Sequence, residues 1–335
     1  MAETGPTAEI ARKVCDEIFG NFFWDVHPRI DANFKCTNEH HRTPTDKPKK
    51  THPADVVFSY VDPYLNQRTY LLTDMKSYAT DSISSSMLRG ALKSMCMSVE
   101  CAQTSSEWRQ IYSITDDEEH DVQGFLFVHN HDRGYENKFA DAMDRVSVTA
   151  LPVAANTVIH FMGPNDISRL YSISNDLIRL KYTKLLPEIE HTFYYPDLVL
   201  TRRHTDTWSQ PATVELLMSP FFIIKHGVTD KVGPGYLIYY NRAGESSEEF
   251  EYLFDCICRF QMLENSQLLR IRSCFRTPNP MMLSNLEAAK KKYSKAWGFD
   301  QLRTELLARI TIEMITTVAD TFNPGNVGWR VDNEE

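Results

Sequence analysis

Residues Asp55 to Lys76, DVVFSYVDPYLNQRTYLLTDMK, constrain the fold more than any other stretch of the chain. Val56-Val57-Phe58-Ser59-Tyr60 is a β-branched and aromatic run, Asp62 to Gln67 is turn chemistry, and Arg68 to Tyr78 returns as a second such run. The pattern predicts a β-hairpin. Because side chains alternate along a strand, Leu72, Asp74 and Lys76 are expected on one face and Met75 and Ser77 on the other. In an antiparallel pair the end of one strand lies beside the start of its partner. Asp55, at the head of the first strand, is therefore expected to converge on Asp74 near the end of the second. Clustered carboxylates repel one another and are stabilised by a hard cation, and oxygen ligands of this kind suit Mg²⁺ or Mn²⁺. An ammonium at Lys76 shares that space, where it can hold a water and offset charge growing on a phosphorane-like transition state.

Asp-x-Lys by itself is a common tripeptide and usually a surface ion pair of little worth. Here an acid after a proline, a hydrophobic strand, a hairpin and then Asp-x-Lys on the next strand resemble the PD-(D/E)xK nuclease superfamily, that of many restriction enzymes and DNA-repair nucleases. The resemblance implies that Asp55 and Asp74 bind Mg²⁺, with a carbonyl near Met75 joining them. It implies that Lys76 positions or activates the attacking water, and that a glutamate on a preceding helix assists. It departs from the family pattern at Pro53-Ala54-Asp55, where an alanine separates proline and acid, and it covers roughly the first half of the chain.

Flanking elements fit the same core. Thr7 to Gly20 reads as a helix, capped by Thr7, ended by Gly20, and striped by Ile10, Ala11, Val14, Cys15 and Ile18. Glu17 borders the stripe, where a helix-borne carboxylate would reach a site on the sheet; a surface pair with Lys13 explains it equally well. Thr37 to Lys50 is polar and carries two prolines, so it reads as a loop, the most basic place in the chain. Its Lys47, Lys49 and Lys50 lead straight to Asp55, where they could hold phosphates; a solvated loop explains them as well. Cys36, His40, His41 and His52 suggest zinc, but their spacing matches no standard finger and supplies a single cysteine, so a loop is the preferred reading. A helix is expected from Asp81 to about Gln103, with Leu88, Ala91, Leu92, Met95, Val99 and Ala102 as its core face and Arg89 and Lys93 off that stripe, where they could reach a backbone phosphate or simply be solvated. Strands at Gln123 to His129 and Val153 to Met162 and a helix from Asp166 to about Leu186 complete the order helix, hairpin, helix, strand.

Beyond residue 190 the pattern changes. Thr213 to Lys225, Gly235 to Asn241 and Leu268 to Ser273 read as strands, and Ser246 to Glu264, Met281 to Trp297 and Phe299 to Asp320 as helices. The expected fold class is α/β: a restriction-endonuclease-like mixed sheet flanked by helices in residues 1–190, followed by an α+β domain in 191–335 for target recognition, partner binding or dimerisation. With 335 residues, 42% hydrophobic and 24% charged, the chain can bury a core in each. Its net charge of −9 excludes a general polyanion-coating surface and leaves nucleic-acid contact to a local basic patch. Gly is 13 of 335 with no phosphate loop, which disfavours an ATPase. No leader-like segment or long apolar stretch occurs, and the seven cysteines form no framework, so a cytoplasmic protein with free thiols and no membrane contact is expected. The function expected is Mg²⁺-dependent (or Mn²⁺-dependent) hydrolysis of phosphodiester bonds, of DNA first, in restriction or antiviral defence, with a protein partner or a homodimer as further possibilities. The rival is an inactive nuclease-fold scaffold or sensor that acts through its C-terminal domain and a partner.

Overall fold

The computed structural model of the chain describes residues 18–78, 80–115, 117–130, 138–147, 151, 154, 156–196 and 208–316. Two compact units divide at Ile167 and Ser168; the change of pattern expected at residue 190 falls inside the second. Among the described residues no helix is long and apolar enough to cross a membrane.

In the first unit the expected hairpin forms, as β4 (Val56–Val61) against β5 (Arg68–Tyr78), with Val61 opposite Arg68 and Val56 opposite Thr73. It is the middle of a five-stranded sheet in the order β1 (Asp25–Val26), β4, β5, β6 (His120–Asn130), β7 (Ile159–Met162). β1 and β4 are antiparallel, as are β4 and β5, whereas β5, β6 and β7 run parallel. Parallel neighbours need a crossover, and α1 (Ser85–Thr104) with α2 (Ser106–Ile111) supplies the one from β5 to β6. α1 begins after Ser84, whose side chain accepts from the Met87 N–H at 3.3 Å. The start expected at Asp81 is instead a 3-10 turn, Thr80–Ser82, because a hydroxyl at residue 84 caps the helix that follows.

One face of the sheet packs Val57, Tyr70, Leu72 and Val122 against Met95, Val99, Ala102 and Trp108 of the two helices. Gly124 allows that approach: a Cβ there would meet the Met95 Cγ at 2.7 Å. The other face is aromatic, with Phe19, Trp24, Phe58, Phe125 and Phe127 in mutual ring contact. The predicted loop from Thr37 to Lys50 is bounded by a two-stranded ribbon that sequence patterning did not reveal, β2 (Ala32–Lys35) with β3 (Thr51–Ala54). It includes Pro53, whose missing N–H suits the end of a short ribbon. The strand expected from Val153 is confined to the four residues of β7.

The second unit holds α3 (Pro164–Tyr182) from Ser168 onward and a sheet in the order β12 (Thr311–Met314), β11 (Leu268–Ser273), β10 (Gly235–Tyr240), β9 (Phe221–His226), β8 (His191–Phe193). Helices Ser247–Arg259 and Met282–Ala296 cover one face through Phe250, Phe254, Leu286 and Tyr293, packed on Ile238 and Ile271. On the opposite face Asp176 of α3 accepts from the Tyr239 hydroxyl at 2.9 Å and from both Nε and Nη2 of Arg272 at 3.0 and 2.6 Å. Two expectations fail here. Val214–Met218 is a helix, because Thr213 Oγ1 caps it through the Leu216 N–H and Pro220 stops it, so the strand starts at Phe221. The last helix is Gln301–Ala308, and the β-branched Thr311-Ile312 pairs with Arg270 and Ile271 as a parallel edge strand instead of continuing it.

Candidate functional site

Extending the hairpin register one step past Val56 and Thr73 sets Asp55 opposite Asp74. The Asp55 N–H donates to the Thr73 carbonyl at 3.2 Å, and its Oδ2 accepts from the Met75 N–H at 2.8 Å. Asp55 is thus locked by both its backbone and its carboxylate to the segment that carries the second acid. The Asp74 charge reaches the Asp55 carboxyl. Burial first, and the Asp74 charge second, push the Asp55 carboxyl up to about 6. A carboxylate pair in that condition is short of positive charge.

Part of it comes from Lys76. Its Nζ lies 2.5 Å from Asp74 Oδ1, with Asp74 largely buried and Lys76 about one-third exposed. Burial opposes the ammonium, but the charges of Asp74 and Asp55 outweigh it and hold the Lys76 pKa above the ordinary lysine value. The same-face placement of Asp74 and Lys76, read from alternation, is therefore realised as contact. Met75, which follows Asp74, meets Asp55 through its N–H; within a strand a residue's N–H and C=O face the same neighbour, so its carbonyl opens toward the Asp55 side.

The basic loop reaches this place through one of its lysines. Lys49 is half-buried, its Nζ donating to Ser94 Oγ of α1 at 3.2 Å, and it feels the charges of Asp74 and Lys76. Burial lowers its pKa. Lys47 and Lys50 are exposed on the same loop. Lys93 is exposed on α1 one residue before Ser94, and Arg89 is partly buried one turn earlier. Tyr78, which sequence reading passed over, is also within electrostatic reach of Asp74 and Lys76, and burial raises its hydroxyl pKa. Its position two residues past Lys76 on the same strand face was the available signal. Glu17, and the helix from Thr7 that would carry it, lie outside the described residues except for Ile18 to Gly20.

The site thus has two converging acids and one ammonium on strand ends, with a lysine-bearing loop beside them. Residues 1–166 match the family model described as GAPS4 protein PD-(D/E)XK nuclease domain. No curated protein and no solved structure matches the chain.

Proposed function

The chain belongs, through its N-terminal half, to the PD-(D/E)xK nucleases, and from that premise we propose that Asp55, Asp74 and Lys76 form a divalent-metal-dependent site that hydrolyses phosphodiester bonds of DNA. The observation that carries this reading is the locked pair of carboxyls with Lys76 held 2.5 Å from one of them. The donor set suits Mg²⁺ or Mn²⁺: two carboxylates, one with its pKa raised to about 6 by burial and by the charge of the other, and a backbone carbonyl at Met75. When bound, such an ion neutralises phosphate charge and favours ionised water.

The chain's own residues supply the rest. Asp74 orients Lys76, and the raised pKa keeps that side chain an ammonium. It therefore acts as a donor, fixing the attacking water and offsetting charge on the phosphoryl oxygens during in-line attack. Lys49 supports a phosphate next to the site, with Lys47, Lys50, Arg89 and Lys93 extending the track along loop and helix. Glu17, outside the described residues, is assigned the assisting role that the superfamily gives a helix-borne glutamate. DNA as substrate, a cytoplasmic setting and a role in restriction or antiviral defence, with a protein partner or second copy engaged by the C-terminal unit, follow by analogy with the superfamily.

The deciding experiment is cleavage of plasmid DNA, linear DNA and RNA by the wild type and Lys76→Ala with Mg²⁺, Mn²⁺ or EDTA. Metal-dependent cutting of DNA that the variant loses supports the assignment. No cutting by the wild type together with no Mn²⁺ binding by calorimetry overturns it in favour of an inactive scaffold.

A further inference from the structure

The loop whose spacing fits no zinc finger closes on a ligand that lies far outside it in sequence. Cys36 follows β2, His41 lies in the loop and His52 in β3, while Cys101 comes from α1, 65 residues after Cys36. One ligand atom from each lies within 4.8 Å of all the others. His40, the other histidine of the loop, is exposed and outside this group. We propose that Cys36, His41, His52 and Cys101 bind one structural zinc ion.

The distances fit that ion. With Zn–S of about 2.3 Å and Zn–N of about 2.0–2.1 Å, a tetrahedron requires sulfur atoms about 3.8 Å apart and sulfur–nitrogen separations of about 3.6 Å. The two Sγ atoms are 3.8 Å apart, and His41 Nδ1 lies 3.3 Å from Cys36 Sγ and 3.5 Å from Cys101 Sγ.

The outer partners fix each histidine in the tautomer a metal needs. His41 Nε2 donates to Glu100 Oε2 at 3.2 Å, which leaves the Nδ1 lone pair turned to the two sulfurs. Glu100 is itself held by the Asn38 side-chain amide at 2.7 Å. Ser98 gives its hydroxyl proton to the Ser94 carbonyl at 3.0 Å, so toward His52 Nδ1, 3.1 Å away, it can only accept. His52 therefore carries its proton on Nδ1 and presents a bare Nε2. That atom has no hydrogen-bond partner although the residue is fully buried, a costly state without a ligand. Carboxylate and hydroxyl partners of this kind accompany metal-ligating histidines. The Thr37 N–H donates to Cys101 Sγ at 3.4 Å.

The ion would tie the ribbon and its loop to α1. Lys49 lies inside the closed loop between His41 and His52 and feels the Asp74 charge, so the metal would set the position of the loop lysine that reaches the proposed catalytic acids. No reactive position is open among four protein ligands, which makes the site a closed, structural one.

The test is metal content of the full-length protein purified in reductant without chelator, together with the spectrum after exchange into cobalt(II). We expect about one zinc per chain in the wild type, in His40→Ala and in the double variant Asp55→Asn/Asp74→Asn, and less than about a tenth of that in Cys36→Ser/Cys101→Ser. Glu100→Ala should bind roughly 10- to 100-fold more weakly in competition with a chromogenic chelator. Cobalt(II) should give intense tetrahedral ligand-field bands with a thiolate charge-transfer band, a reading on the wild type that does not depend on any variant folding. A wild type that contains no zinc and gives no such spectrum overturns the proposal, as does a cysteine double variant that keeps its zinc.

Discussion

The Met75 N–H donates to Asp55 Oδ2 at 2.8 Å, so a side chain continues the hairpin's hydrogen-bonding where the backbone of β4 ends. The same carboxylate serves the fold and the proposed chemistry, and the two roles can be separated. Asp55→Asn keeps an acceptor for that N–H, whereas Asp55→Ala leaves it without one. Urea unfolding in EDTA should find the alanine variant about 1–3 kcal/mol less stable than the asparagine variant, while neither cuts DNA. Equal stabilities would show that the bond contributes nothing to the fold.

The pH dependence of stability has a defined sign. Folding raises the Asp55 pKa from 3.8 to about 6, chiefly by burial and then by Asp74, so the native state holds this proton more tightly than the unfolded chain does. The contribution favours folding below about pH 4 and is lost as pH rises through about 6. Asp55→Asn should accordingly be more stable than the metal-free wild type near pH 7.5, by about 1–3 kcal/mol, and no more stable near pH 4. Saturating Mg²⁺ should narrow the gap. Denaturant melts of both proteins across this range check it, and a wild type at least as stable as the variant in EDTA near pH 7.5 contradicts it.

Lys76 and a metal ion compete for the same negative charge. Its removal should lower cleavage by about 10²-fold or more, yet leave Mn²⁺ affinity unchanged or several-fold tighter, since Asp74 loses its 2.5 Å counter-ion. Asp74→Asn should lose both. Calorimetric titration with Mn²⁺ distinguishes the two variants, and a Lys76→Ala protein that fails to bind Mn²⁺ would place Lys76 in the metal's support rather than in the chemistry.

The lysines of the basic loop should not be equivalent. Lys49 is tucked against Ser94 beside Asp74, whereas Lys47 and Lys50 are exposed. Charge removal at Lys47 or Lys50 should weaken DNA binding modestly, and each such variant should release about one counterion fewer on binding, which flattens the salt dependence. Lys49→Ala should lower kcat as well as affinity. Binding isotherms at several salt concentrations, with single-turnover cleavage, separate these effects; three identical profiles would remove Lys49 from the site.

The hairpin and the meeting of Asp55 with Asp74 were legible because both depend on local rules, β-branched runs, turn residues and alternation, acting over a short loop. Lys76 on Asp74 followed from the same alternation. The position of Lys49 was not legible, since a polar loop carries no pattern that says which lysine turns inward. Nor was Cys101, whose place in a helical stripe looks like core until the ribbon is folded over it. In the second unit, Val214 to Met218 and Thr311 to Met314 were misassigned because short apolar runs fit either period; a single Thr213 cap decided the first, and an open edge at β11 the second.

Register along β5 has a temporal consequence. β4 accompanies β5 only from Arg68 to Thr73, whereas β6 accompanies it from Arg68 to Tyr78. Asp74 and Lys76 therefore lie on a projecting half-strand whose backbone template is β6, which is translated some fifty residues later, after α1. A chain still being synthesised therefore holds the β4–β5 hairpin, which brings Asp55 to Asp74, before it has the strand that supports the backbone of residues 74 to 78. The proposed site gains its full backbone support only when β6 pairs along the whole of β5.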